Sequence, residues 1–279
     1  MKPRAHSIIA LIIFFYACSF IIVGTAHSTW YIETSPITWT LNDIWGASKN
    51  DIYAVGDQET ILHNDGTGWS IVSSLGNGAP FRDVSGNSGS NIYAVGDNGL
   101  VKYFDGNDWK NPAGFISPSV DLNGVWVSAD GEVFIVGGFS PDIGETTIIH
   151  FDGTSIWSVM PSDIQDTLEA VWGSSATDVF AVGANGVILH YDGIEWKPMT
   201  SNTTNYLTCV WGSSDRDVFA GGASTSIYHY DGNAGGNWID PINDGSVEYP
   251  DDLWGSSDSD VYAVGGSDFN KIDHFDGNT

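Results

Sequence analysis

The sequence predicts an all-β fold, a six-bladed β-propeller with four antiparallel strands in each blade. Three observations carry this expectation. One segment recurs six times, its clearest copy running LEAVWGSSATDVFAVGANGVILHYDGIEW from Leu168 to Trp196. Each copy alternates short runs rich in Val, Ile, Phe and Tyr with turns rich in Gly, Asn and Asp, the pattern of strands joined by tight connections. No stretch after residue 30 keeps an apolar period of 3.6, so helices have no support.

The copies begin at Leu41, Phe81, Leu122, Leu168, Leu207 and Asp251. One anchor position holds Trp45, Ser85, Trp126, Trp172, Trp211 and Trp254, which puts successive spacings at 40, 41, 46, 39 and 43 residues. That is the period of a single propeller blade. In the fourth copy, strand A is LEAVWG, strand B is DVFAVG, strand C is VILHYDG and strand D begins at Trp196. A second Trp position holds Trp69, Trp109, Trp157, Trp196 and Trp238. The sixth copy reads to Asp276-Gly277-Asn278-Thr279, and Trp30-Tyr31-Ile32 supplies its missing phase. The expectation is therefore a ring closed by the N-terminal strand completing the last blade, which removes open edges. Only Trp39 of the 12 Trp falls outside the two repeat positions. The others read as structural anchors, each able to bury on the order of 200 Å².

Met1-Lys2-Pro3-Arg4, the apolar run Ile8–Val23 and the small residues Gly24 and Ala26 form a secretory-signal pattern. Residues 1–28 are expected to be a signal peptide or an uncleaved N-terminal anchor, and 29–279 one propeller domain, secreted, periplasmic or on the cell surface. The anchor is the one membrane association the sequence suggests. The chain carries 35 Asp+Glu against 9 Lys+Arg, a formal net charge of −26. Such a surface repels phosphates, which excludes nucleic acid as a partner. Cys209 is the one cysteine beyond the apolar run, so it reads as a small buried residue with no disulfide partner.

The HYDGIEW segment is similar to the Asp-box turn of sialidase-like propellers, one residue shorter. Gly137-Gly138 and Gly265-Gly266 resemble the glycine pair of kelch repeats. The whole repeated region resembles bacterial secreted propellers with tandem WGSSxxDVFAVGxxGxIxHYDGxxW repeats. This resemblance implies the fold and leaves the activity open, because propellers host many unrelated functions. A sialidase-type site would need an arginine cluster, and only Arg82 and Arg216 follow the N-terminal segment. A kelch-type copper oxidase would need a Cys–Tyr cofactor, and Cys209 lies at a core position. No cofactor or metal is expected.

His63, His150, His190, His229 and His274 share one repeat position, with Tyr103 in the second copy. One per blade, they lie too far apart to ligate a common metal. Each is expected to pack beside the following turn and bond a local backbone group. Asp65, Asp105, Asp152, Asp192, Asp231 and Asp276 precede Gly and are expected to accept local backbone N–H bonds. Asp51, Asp178, Asp217 and Asp260 open strand B and read in the same way.

Function is expected where copies depart from the repeat, on loops held by a rigid scaffold. The D–A connections Asn111–Asp121, Pro161–Thr167 and Asp240–Asp251 are long or distinctive, and the third copy adds Phe139–Glu145 between strands B and C. In an up-and-down blade these connections emerge on one face. That face would collect Trp39, Phe115, Phe139, Tyr206 and Tyr249 with the acids Asp142, Glu145, Asp163, Asp166, Asp244 and Glu248. Aromatic rings beside carboxylates suit a peptide, a sugar or a cation. The expectation is a monomeric, non-catalytic binding or scaffold propeller for a protein or glycan. The alternatives are a carbohydrate-active enzyme using loop carboxylates and an assembly factor for an envelope complex.

Overall fold

The computed structural model describes residues 33–279, apart from 75, 77, 224–226, 233–235, 243–248, 266–270 and 278–279. The signal-peptide segment, the closing strand at Trp30, Asp244 and Glu248 thus lie outside the described residues. Strands A–D of blade one are β1 (Leu41–Ser48), β2 (Asp51–Gly56), β3 (Thr60–Asn64) and β4 (Trp69–Ser73). Blade two is β5 (Phe81–Ser88), β6 (Asn91–Gly96), β7 (Leu100–Phe104) and β8 (Trp109–Lys110). Blade three is β9 (Leu122–Val127), β10 (Val133–Ser140), β11 (Glu145–Phe151) and β12 (Trp157–Val159). Blade four is β13 (Leu168–Ser175), β14 (Asp178–Gly183), β15 (Ile188–Tyr191) and β16 (Trp196–Pro198). Blade five is β17 (Leu207–Ser214), β18 (Asp217–Gly222), β19 (Ile227–Tyr230) and β20 (Ile239–Ile242). Blade six has β21 (Pro250–Ser257), β22 (Asp260–Gly265) and β23 (Lys271–Phe275). Each blade is an antiparallel meander in chain order, so the fold is the six-bladed propeller that the repeat predicts.

The core is distributed between blades rather than gathered in one centre. Among the described residues, five buried clusters occur, one for each successive pair of blades from one–two to five–six. Strand alternation explains this: successive side chains point to opposite faces, so each blade buries one set against either neighbour. Along β14, Val179, Phe180, Ala181 and Val182 are all fully buried, with Val179 and Ala181 facing blade three and Phe180 and Val182 facing blade five.

The anchor Trp and the Gly that follows it in the repeat form the contact between blades. A Cβ at Gly86 would lie 2.9 Å from the Trp45 ring, one at Gly173 2.8 Å from Trp126, one at Gly212 2.7 Å from Trp172 and one at Gly255 2.6 Å from Trp211. Each indole thus lies flush on the next blade's backbone, where any side chain would collide. Blade three departs in a compensated way. Its neighbour's anchor is Ser85, the residue at the glycine position is Val127, and the Val127 N–H donates to Ser85 Oγ at 3.2 Å. A small anchor admits a side chain opposite it.

The repeated histidines overturn one expectation. They bond carboxylates, not backbone. His63 Nε2 lies 2.8 Å from Asp51, His150 2.7 Å from Glu132, His190 2.6 Å from Asp178, His229 2.6 Å from Asp217 and His274 2.7 Å from Asp260. Strands B and C run antiparallel, so the acid that opens B comes opposite the His near the end of C. Each imidazole also packs on the aromatic residue of strand B, with centroids 4.2–4.6 Å apart on Tyr53, Phe134, Phe180, Phe219 and Tyr262. Ser174, Ser213 and Ser256 donate to the other oxygen of their acid. The strand-B acids therefore orient histidines, while the Asp-Gly turns behave as expected. Asp105 Oδ1 accepts from the N–H of Asn107 and Asp108, and Asp192 Oδ1 from Ile194 and Glu195. The Lys197 ammonium and these N–H groups hold the Asp192 carboxyl down to about 2.

Candidate functional site at the loop face

The first three residues of each inner strand enter the disc from the face that carries the D–A and B–C connections. The first is apolar in every copy. The second is Asn42, Arg82, Asn123, Glu169, Thr208 or Asp251, and the third is Asp43, Asp83, Gly124, Ala170, Cys209 or Asp252. The first position, which packs, stays apolar, while the second and third vary.

Several second-position side chains tie one blade to the next. Asn42 Nδ2 donates to the Phe81 carbonyl at 2.6 Å, Asn123 Nδ2 to Leu168 at 2.9 Å and Thr208 Oγ1 to Pro250 at 3.0 Å. Arg82 instead reaches outward: Nε donates to Asp97 and Nη2 to Asp121 at 3.0 Å. Burial works against its charge, but Asp97 and then Asp121 outweigh that and raise its pKa. Glu169 accepts a hydrogen bond from the Tyr206 hydroxyl. Burial raises the Glu169 carboxyl, and burial with the Glu169 contact pushes the Tyr206 phenol up to about 12.

Below this layer, three acids share the third repeat position in blades six, one and two. Asp43 Oδ2 accepts from the Val84 N–H at 2.8 Å and Asp83 Oδ2 from the Val125 N–H at 2.7 Å. Asp43 is hydrogen-bonded to Asp83; burial, then that neighbouring charge, raises its pKa well above the usual carboxylate range. Burial likewise raises Asp83. Asp252 is exposed to solvent, yet the protein packed around it, with the Asp83 and Asp251 charges, lifts its carboxyl to about 6. Cys209 occupies the same position as a buried free thiol whose pKa rises through burial.

These raised pKa values fix the sign of a pH effect. Asp43 holds its proton to higher pH in the folded chain than in the unfolded one. Stability is therefore lost as pH rises from the unfolded carboxylate value through the folded one. Asn at this position can still accept from Val84 and can donate to Asp83 without a charge. Asp43→Asn should stabilise the fold at pH 8 by on the order of 1 kcal/mol, with no gain near pH 4. Urea melts at the two pH values check this; an equal gain at both would refute the shared-proton assignment.

Of the residues expected at the site, Trp39, Phe139, Tyr206, Tyr249 and Asp142 are exposed. Tyr249 has φ 60°, uncommon for a bulky side chain and a mark of local strain. Phe115 is half-buried, edge-on to Trp157 at 5.0 Å. It also lines a pocket of about 330 Å³ with Asp97, Asn98, Asn111 and Ser117. Glu145 is occupied internally: its Oε2 accepts from the Ser162 N–H at 2.9 Å and bridges two loops of blade three. Asp166 Oδ1 accepts from Asn185 Nδ2 at 2.6 Å. Arg82, Asp97, Asp121, Glu169 and the third-position acids were not expected here. For Arg82, Glu169 and the third-position acids the signal was the disagreement among copies inside an otherwise repeated strand; Asp97 and Asp121 lie on turns outside the strands.

A second opening, about 640 Å³, lies between blades two and three, lined by Asn87, Asn91, Tyr93, Tyr103, Asp130 and Trp157 among others. It coincides with the one blade where Asn91 and Tyr103 replace the acid and the His. There Asn91 Nδ2 donates to Asn87 at 3.0 Å, and Tyr103 stacks on Tyr93 at 4.7 Å.

Comparison with solved structures places this architecture. YCF48 from Cyanidioschyzon merolae matches with TM-score 0.61 and 14% identity, over 82% of this chain and 80% of that one. A structure of YCF48 bound to D1 peptide matches with TM-score 0.50 and 14% identity, over 83% and 90%. The WD40 repeats of RRP9 match with TM-score 0.62 and 9% identity, over 84% and 79%. The likeness is one of fold. No family model matches the chain, and no curated protein matches it in sequence.

Proposed function

We propose that this chain is a non-catalytic, exported propeller that binds an extended polypeptide segment bearing basic side chains at its loop face. The observation that carries the reading is the convergence of Tyr206–Glu169, Arg82–Asp97 and Asp121 at the mouth of the inner strands, with Trp39, Phe139 and Tyr249 exposed. Aromatic rings and carboxylates recognise Lys and Arg through charge and cation–π contact. The net charge of −26 would speed the encounter with a cationic partner. Arg82, already held by two acids, provides a fixed donor for a peptide carbonyl. That another propeller of this fold was solved with a bound peptide agrees with the reading, and the pattern Met1–Val23 supports export.

The test is retention of peptides from a random-sequence array on the immobilised full chain. Basic, aromatic-containing peptides should be retained, and their affinity should fall as salt screens the acids. Trp39→Ala and Tyr249→Ala should each weaken the best binder about tenfold, the loss of roughly 1.4 kcal/mol, with Tm nearly unchanged. Equal affinity in both variants, or preference for acidic peptides, would remove this reading.

A further inference from the structure

Blade two departs from the repeat at four positions, and the departures meet at one place. Ser85 pairs across the strands with Tyr93, where the other blades set Trp126 against Phe134, Trp172 against Phe180 and Trp211 against Phe219. Asn87 stands at the position of the Ser that donates to the strand-B acid in blades four to six. Asn91 and Tyr103 replace the acid and its His, and an amide and a phenol occur at these two positions in this copy alone. Asn87, Asn91, Tyr93 and Tyr103 all line the opening of about 640 Å³ between blades two and three.

The two amides are held in fixed orientations. Asn87 Nδ2 donates across the seam to the carbonyls of Ser128 at 2.9 Å and Ala129 at 3.2 Å. Carbonyls only accept, so Asn87 turns its Oδ1 back to Asn91, whose Nδ2 donates to it at 3.0 Å. The orientation of Asn91 follows, and its Oδ1 is left as an acceptor at the opening. Tyr103 stacks on Tyr93 with centroids 4.7 Å apart, and Trp157 stacks on Phe151 at 4.8 Å. Asp130 and Thr154 are exposed on the blade-three wall. The lining thus combines four aromatic rings with amides, hydroxyls and one carboxylate, and among the described residues it holds no Lys, Arg or His.

We propose that this opening binds a neutral saccharide of one or two sugar units. A sugar ring carries C–H groups on its faces and hydroxyls around its edge. The C–H groups pack on Tyr103 and Trp157, and the hydroxyls pair with Asn91 Oδ1, the tyrosine hydroxyls and the Asp130 carboxylate. A phosphate or carboxylate ligand would need a basic partner that the lining lacks. An ammonium group would need ring faces turned towards it, but Tyr103 and Tyr93, like Trp157 and Phe151, turn faces on each other. The volume falls within the roughly 300–1,000 Å³ of small-ligand sites. Asp130 and Gly131 belong to the A–B turn of blade three, and Gly153, Thr154 and Ser155 to its C–D turn. In a meander these turns lie at the end away from the B–C connections, so the site is separate from the loop face and does not rest on the peptide reading.

The experiment screens the full chain against an array of neutral and sialylated glycans and titrates the best binder by calorimetry. Neutral glycans should be retained. Asn91→Asp with Tyr103→His installs the acid–His pair of the other blades, and His63 stacked on Tyr53 shows that a His fits on a Tyr at this position. This double variant should keep its Tm and bind the sugar about tenfold more weakly. Asp130→Ala changes an exposed side chain, so it gives a second reading should the double variant misfold; it should weaken the sugar about fivefold with Tm unchanged. Saturating sugar should leave peptide retention at the loop face as it was. Failure to retain any neutral glycan, preference for sialylated ones, unchanged affinity in the folded variants, or displacement of bound peptide by sugar overturns the inference.

Discussion

Phe180→Ala is expected to cost about 3–5 kcal/mol, lowering Tm by on the order of 10 °C for a domain of this size. The side chain is completely buried. Its ring packs on His190 at 4.5 Å within its own blade, and on Tyr230 at 5.7 Å and Trp238 at 6.2 Å in the next. Truncation thus empties a site bounded by two sheets that cannot collapse without moving a whole blade. Ile194→Ala, in the exposed turn between β15 and β16, should change stability by less than about 0.5 kcal/mol. Calorimetry of the two variants checks the placement of the core between blades. Comparable losses would show that it is wrong.

The second large effect concerns a residue with no side chain. Gly212→Val should destabilise by about 2–3 kcal/mol, in the range of overpacked cores. A Cβ there would meet two carbons of the Trp172 ring and the Asp217 carbonyl, each at 2.7 Å. Backbone blocks one direction and the indole the other. The same Val is native at position 127, because Ser85 stands where the indole would be. Adding Trp172→Ser to Gly212→Val should therefore recover part of the loss caused by Gly212→Val. A double variant with the sum of both single losses would show the two positions to be independent.

The repeat made the architecture legible: strand boundaries, blade number and the Asp-Gly turns could be read from periodicity and turn chemistry. The histidine partners could not, because a local reading seeks the bond partner near in sequence. Asp178 lies twelve residues before His190, and only the antiparallel pairing of strands B and C joins them. The site was partly legible. Exposed aromatics announced themselves on loops, whereas Phe115 turned into packing because the connection carrying it runs against Trp157. Glu145 looked like a free loop acid until the backbone of Ser162 and Asp163 closed on it. Arg82, Glu169 and the axial acids lay within strands, where loop-centred reasoning did not look.

The exchange of indole for hydroxyl between blades two and three also bears on how such a ring can grow or be re-engineered. A copied or transplanted unit brings its own glycine and its own tryptophan, so it fits wherever its neighbours keep the common pair. After blade two it would set a bare glycine against Ser85 and leave a void. In front of blade three it would drive an indole into Val127. That joint is the one at which duplication or shuffling of whole units is blocked unless both residues change together.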